Sequence, residues 1–184
     1  FPVMPGEHAE DGTIQGLFEM AGIPYVGCGV LASSTCMDKD VTHILLEAAG
    51  IRTAPYAALV RPQLARFDSL EPSLREKLGY PMFVKPANTG VGKAKDRAGL
   101  LAALKEAFRY DRKVVVEKAI LGAEVECAVL GNYTDADAAV VGEIVPHHEF
   151  YDYEGKYLDD STDLFIPARI PKETSEAIRT AAVR

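Results

Sequence analysis

The sequence predicts a mixed α/β protein of the α+β kind, with helices and strands alternating early and strands clustering late. Apolar residues recur at helical spacing, as in Ile14, Leu17 and Phe18 and again in Leu100, Leu101, Leu104 and Phe108. Between these stretches stand short apolar runs suited to strands, such as Met82-Phe83-Val84 and Val114-Val115-Val116. After Val114 such runs follow one another, and no helical pattern returns until Lys172.

Taken in order, Phe1-Pro2-Val3-Met4 reads as a strand already under way. Ile14 to Met20 reads as a helix capped by Asp11 or Thr13 and stopped by Gly22. Ile23 to Gly27 reads as a short strand. Leu31 to Ala49 is helical, broken near Asp38 and ended by Gly50. Tyr56 to Val60 is a strand, and Leu74 to Leu78 a short helix ending at Gly79. Pro81 to Pro86 is an apolar strand with Lys85 near its end, and a helix follows around Leu100 to Phe108. Strands are expected at Val114 to Glu117, Glu124 to Leu130 and Ala138 to Val145. Phe150 to about Asp163 is a loop rich in Tyr, Asp and Glu. The last helix starts near Lys172, after Pro171, and is still running at Arg184. With no opening Met and no closing cap, the chain reads as a fragment.

The 184 residues, 48% hydrophobic and 26% charged, give enough apolar material for one large domain or two small ones. A net charge of −7 argues against a nucleic-acid surface, which is ordinarily basic. It leaves a nucleotide open, because a phosphate site needs only a few local cations and amides. No apolar run approaches the ~20 residues of a membrane-spanning helix. Cys28, Cys36 and Cys127 sit among apolar or small neighbours and read as reduced, buried thiols of a cytoplasmic protein. No Cys/His pattern has zinc spacing, and the adjacent His147 and His148 read as a solvated pair.

Lys39 stands at an expected helix start, where free amides already favour anions. Lys85 ends a strand beside the glycine-containing stretch Asn88-Thr89-Gly90-Val91-Gly92-Lys93, an arrangement that offers a phosphate both amides and charge. It is not a Walker loop, whose glycines, lysine and hydroxyl come in a different order. Glu117-Lys118-Ala119-Ile120 ends another strand, and Glu124 follows closely. This is either a nucleoside site, with Glu124 on the ribose and backbone from Lys118 to Ile120 on the base, or a plain hairpin with exposed charges. Tyr151, Tyr153, Lys156 and Tyr157 crowd a single loop, as in a lid over an active site or a surface-packed turn.

Together, in this order and spacing, several segments resemble the D-alanine–D-alanine ligase family over nearly the whole chain. They include Glu10-Asp11-Gly12-Thr13, Gly22-Ile23-Pro24-Tyr25-Val26-Gly27, Met37-Asp38-Lys39, Phe83-Val84-Lys85-Pro86-Ala87-Asn88, Val116-Glu117-Lys118, Glu124-Val125-Glu126-Cys127-Ala128, Gly142-Glu143-Ile144 and Tyr151-Asp152-Tyr153-Glu154-Gly155-Lys156-Tyr157. The resemblance implies an ATP-grasp fold with the nucleotide between two antiparallel sheets. It implies residues 1–27 as the end of an N-terminal substrate domain, 28–117 as the central part and 118–184 as the start of the C-terminal part. The implied activity joins two D-alanines through an acyl phosphate, using ATP and Mg²⁺, for peptidoglycan precursors. The implied setting is a cytoplasmic homodimer, with no nucleic-acid or membrane partner. A shielded acyl phosphate calls for a lid, and phosphoryl transfer calls for cations.

By the same resemblance, Lys39 and Lys85 hold the α- and β-phosphates, and Glu117, Lys118, Ala119 and Ile120 lie at the adenine. Glu124 meets the ribose, Lys156 the γ-phosphate, and Tyr157 the substrate pocket. Glu10 orients groups at the floor of the site. The Lys156-Tyr157 pair favours D-alanine as the second substrate; a D-lactate or D-serine acceptor and a catalytically inactive ATP-binding relative are the alternatives. The chain departs from the family pattern at Gly90-Val91, where the phosphate loop is shorter and lacks a serine, and at Pro5, where a histidine is usual. The remaining catalytic residues and the magnesium ligands are expected outside this stretch, so no metal ligand is assigned.

Overall fold

The computed structural model describes residues 4, 6–88, 90, 92–132, 134–146 and 162–184. The chain divides into two compact units, Phe1–Ile120 and Leu121–Arg184.

The first unit is organised by an antiparallel sheet of β1 (Tyr56–Val60), β2 (Met82–Pro86), β3 (Gly92–Ala94) and β4 (Lys113–Lys118), in the order β1-β4-β2-β3. Strand β4 is central, which explains why Val114, Val115 and Val116 are all fully buried rather than alternating. The register pairs Tyr56 and Phe83 with Glu117, and Phe83 with Lys93. Paired residues share a face of a sheet, so Leu59, Met82, Val84, Ala94, Val114 and Val116 all point to the other side. There they form the core with Leu100, Leu104 and Phe108 of α5 (Arg97–Tyr110) and with Phe67, Leu74 and Leu78 of α4 (Phe67–Leu78). Burying each large side chain contributes about 1.5–3 kcal/mol.

Helix α4 is longer than the expected Leu74 to Leu78. It follows a 3-10 turn at Arg61–Arg66 and runs through Pro72. The proline removes one amide and crowds the preceding turn. Burial of Phe67, Glu71, Leu74 and Leu78, a helical spacing, offsets that cost. The expected strand at Ile23 to Gly27 is absent: the segment is irregular, Pro24 has no amide to donate, and no described strand lies beside it. Helix α1 (Thr13–Ala21) ends at Gly22 in the left-handed conformation, φ 65°. Asp11 accepts from the amide of Thr13 at 2.9 Å, but Gly12 occupies the cap itself.

The expected break near Asp38 is present. Asp38 ends α2 (Val30–Met37) and caps α3 (Lys39–Ala48), its Oδ1 accepting from the amides of Asp40 at 3.1 Å and Val41 at 3.2 Å. Cys28 and Cys36 are exposed and Cys127 is half-buried, so the expectation of buried thiols is corrected. Their apolar neighbours mislead because Val30 and Leu31 of α2 are themselves exposed. All three thiols are free.

The second unit holds a sheet of β5 (Glu124–Glu126), β8 (Gly142–Pro146) and β9 (Thr162–Phe165), in the order β5-β8-β9, and a ribbon of β6 (Val129–Leu130) with β7 (Asp137–Ala138). The two long strands expected at 124–130 and 138–145 are therefore each divided between sheet and ribbon. Strands β4 and β5 lie in different sheets, which removes the plain-hairpin alternative for the segment between them. The Arg169 guanidinium grips both oxygens of Glu143, at 2.9 and 3.1 Å, and lies over the Phe165 ring at 3.6 Å. Helix α6 (Lys172–Ala182) is tied to β7 by Arg179, which donates to the carbonyl of Ala138 at 2.8 Å; it stops at Ala182 rather than running on through Arg184.

Candidate functional site

The face of the first sheet that turns away from the core carries charged and aromatic side chains. Phe83, Lys93, Tyr56 and Glu117 share it by register, and Lys85, two residues beyond Phe83, joins them. The Lys85 ammonium donates to Oε2 of Glu117 at 2.6 Å. Glu117 is only 7% exposed, so this is a buried carboxylate with a partly open partner.

Helix α3 is fastened over this region at its N-terminus. The Lys39 amide donates to the carbonyl of Ala87 at 3.0 Å, just beyond β2. Lys113 reaches Asp38 at 2.8 Å and Asp40 at 3.0 Å, clamping the first turn to β4. Lys39 and Lys85 are thereby brought to the same end of β2, and the Lys39 ammonium also reaches the Ala87 carbonyl at 3.4 Å. Burial, and then the neighbouring Lys85 charge, hold the Lys39 ammonium below its ordinary pKa. Two cations that disfavour one another form a site that gains from an added polyanion. Asn88 donates from both its amide and its side chain to Oδ2 of Asp111, at 3.1 and 2.8 Å.

Burial raises the Glu117 pKa, but the hydrogen bond and charge of Lys85, and then His43, outweigh it and leave the carboxyl below its usual range. A depressed carboxylate contributes stability above its unfolded pKa. That contribution is lost as pH falls through the folded value.

The other expected site residues fall as follows. The amides of Lys118 and Ala119 donate to the carbonyls of Pro55 and Pro81, at 2.9 and 3.1 Å, which fixes the end of β4 just before Ile120. Ile120 is exposed. Glu124 begins β5 in the second unit. Glu10 is exposed and accepts from the Gly6 amide, closing a local turn. Lys156, Tyr157, Pro5, Thr89 and Val91 lie outside the described residues. Among the described residues no group of three or more His, Cys, Asp or Glu side chains is placed to hold a metal ion.

Sequence reasoning missed His43. Its Nε2 lies 3.0 Å from Oε1 of Glu117, and its ring stacks on Tyr56 with centroids 4.0 Å apart. The available signal was its position one helical turn after Lys39, which places both on one face of α3.

The mixed α/β architecture with antiparallel sheets, shared with the solved D-Ala ligase structures that it matches at a TM-score of 0.85, places the chain in the ATP-grasp fold class. The family model D-ala D-ala ligase C-terminus matches residues 45–184, and the model D-ala D-ala ligase N-terminus matches residues 1–28. The chain belongs to the D-ala D-ala ligase family. It is 52% identical to a D-alanine--D-alanine ligase of Acetivibrio thermocellus, covering 100% of this chain and 50% of that protein. It is 50% identical to one of Bacillus cytotoxicus, covering 100% and 52%. Among solved structures, the VanG D-Ala:D-Ser ligase from Enterococcus faecalis superposes with a TM-score of 0.85 at 41% identity, over 100% of this chain and 53% of that one. The D-alanine-D-alanine ligase from Coxiella burnetii gives a TM-score of 0.85 at 32% identity, over 100% and 48%. The chain thus spans about half the length of the curated relatives it matches.

Proposed function

We propose that this chain carries the phosphate-binding part of an ATP-dependent ligase that joins two D-alanines through an acyl phosphate. The observation that supports this most is the placing of Lys39 and Lys85 at the same end of β2, near enough for the Lys85 charge to act on the Lys39 ammonium. On this reading the two ammoniums hold the α- and β-phosphates and balance charge during phosphoryl transfer. The backbone from Glu117 to Ile120 lines the adenine, Glu124 takes the ribose, Lys156 the γ-phosphate, and Tyr157 and Glu10 serve the substrate pocket. Residues 1–27 close an N-terminal substrate domain, 28–117 form the central part, and 118–184 open the C-terminal part. Magnesium belongs to the same reading, but the described residues do not form a site for it. The protein is read as a cytoplasmic homodimer, and no described helix is long and apolar enough to cross a membrane.

The structural likeness to a D-Ala:D-Ser ligase favours one second reading, with D-serine as acceptor. Supplying the complete protein with ATP, magnesium and D-alanine, alone or with D-serine or D-lactate, separates the two. The expected product is D-alanyl-D-alanine with ADP formed in step. A mixed dipeptide as the main product would replace the acceptor assignment, and no ADP with any acceptor would sink the ligase reading.

The Lys39 site makes a prediction of its own. A polyphosphate beside the ammonium raises its pKa back towards the ordinary 10.5. At an alkaline pH between the depressed and restored values, nucleotide binding takes up a proton. Titration calorimetry in two buffers of different ionisation enthalpy reads that uptake, which is expected to vanish in Lys39→Met. Equal enthalpies in both buffers for the wild type would refute it. The sign carries over to stability. A depressed lysine leaves the folded chain with fewer bound protons, so stability rises with pH through that same window.

A further inference from the structure

His43 lies outside every group that the ligase reading uses, yet its surroundings are those of a built site. It sits on α3, whose first turn is fixed to the sheet by Lys113 and by the Ala87 carbonyl. Its side chain is 12% exposed, and its ring lies nearly parallel to that of Tyr56, at 14°. The stack and the helix together leave the imidazole little freedom. Nε2 faces Oε1 of Glu117, while Nδ1 is buried with no hydrogen-bond partner among the described residues. An orphaned buried N–H is the costlier defect, so the ring proton belongs on Nε2, where it is donated to Glu117.

Glu117 therefore has one oxygen on His43 and the other on Lys85. With both oxygens committed to internal donors, its carboxylate is a fixed point rather than a ligand. Lys85 has a long, flexible stem with a rotatable ammonium and places its charge poorly unless it is held. We propose that His43 is a positioning residue: by holding Glu117 in one orientation, it sets where the Lys85 ammonium stands for the phosphates of the nucleotide. The inference rests on the nucleotide reading of this face. The His43 hydrogen bond acts through Glu117 on Lys85, and the ring never touches the phosphates.

The test compares His43→Leu and His43→Gln with the wild type in the complete protein. Leucine keeps much of the bulk and loses the donor, whereas glutamine returns an N–H within similar reach. In His43→Leu the KM for ATP is expected to rise about tenfold, the scale of losing one hydrogen bond to a charged group. The KM for D-alanine stays unchanged, and inorganic tripolyphosphate inhibits correspondingly less well. His43→Gln is expected to lie within about twofold of wild type, since the donor is restored.

An unchanged KM for ATP in His43→Leu would overturn the proposal. So would an equal loss in His43→Gln, because the ring stack on Tyr56 would then be what matters. Should His43→Leu fail to fold, His43→Asn serves instead: its amide is too short to reach Glu117 and it should show the same selective loss. Wild-type protein that binds neither ATP nor tripolyphosphate is a different failure. It removes the nucleotide reading itself, and is recognised before any variant is made.

Discussion

Lys85→Met is expected to lose ATP binding by at least about 100-fold, the size of one well-placed charge-assisted contact to phosphate. The substitution has a second consequence, because it leaves the buried Glu117 without the ammonium that holds its pKa down. Removing one partner of a fully buried ion pair costs about 3–5 kcal/mol. The Lys85 side chain is 25% exposed, so solvent screens part of that loss, and about 1–3 kcal/mol is the expected destabilisation. The two effects separate in the double variant Lys85→Met with Glu117→Gln. Neutralising the stranded carboxylate should return most of the stability and none of the binding. Thermal melts and equilibrium ATP titration read the two quantities independently. Lys85→Met that bound ATP within threefold of wild type would remove Lys85 from the phosphate site.

On the opposite face of the same sheet, Leu104→Ala is expected to destabilise the protein by about 3 kcal/mol while leaving the KM for ATP unchanged. Leu104 is fully buried on α5 against the sheet, among Val84, Val114 and Val116. Truncating it removes apolar contacts and leaves a cavity that the surrounding valines cannot easily fill. The register puts these residues on the face away from Lys85 and Glu117, so the damage should stay in the core. Urea unfolding measures the first quantity, and ATP kinetics well below the melting range the second. A tenfold change in KM at small cost in stability would show that the two faces are coupled and that the register argument is incomplete.

Much of the fold was legible because it is written in local pattern. The helix around Leu100 to Phe108, the strands at Tyr56 to Val60 and Val114 to Glu117, and the stop at Gly22 each follow from periodicity or from one residue's conformational preference. The Asp38 break was legible for the same reason, since a short acceptor side chain can cap the next helix. Lys39 and Lys85 could be picked out, each standing at the edge of an apolar element. The irregular course of Ile23 to Gly27, the division of residues 124–130 and the exposure of Cys28 and Cys36 could not, because each depends on what lies beside the segment in space.

The amino-acid sequence by itself determined most of the helices and strands, the family to which the chain belongs, and the lysines proposed to meet a phosphate. Only the tertiary structure decided how those charges are held. Glu117 meets Lys85 across 32 positions and His43 across 74, and no spacing rule reaches so far. Those contacts exist because antiparallel register places Glu117 beside Phe83, and because α3 is fastened to the end of β2. Local preference acts over a turn of helix or a pair of strand residues, whereas the charge balance of a buried site is set by packing between distant segments.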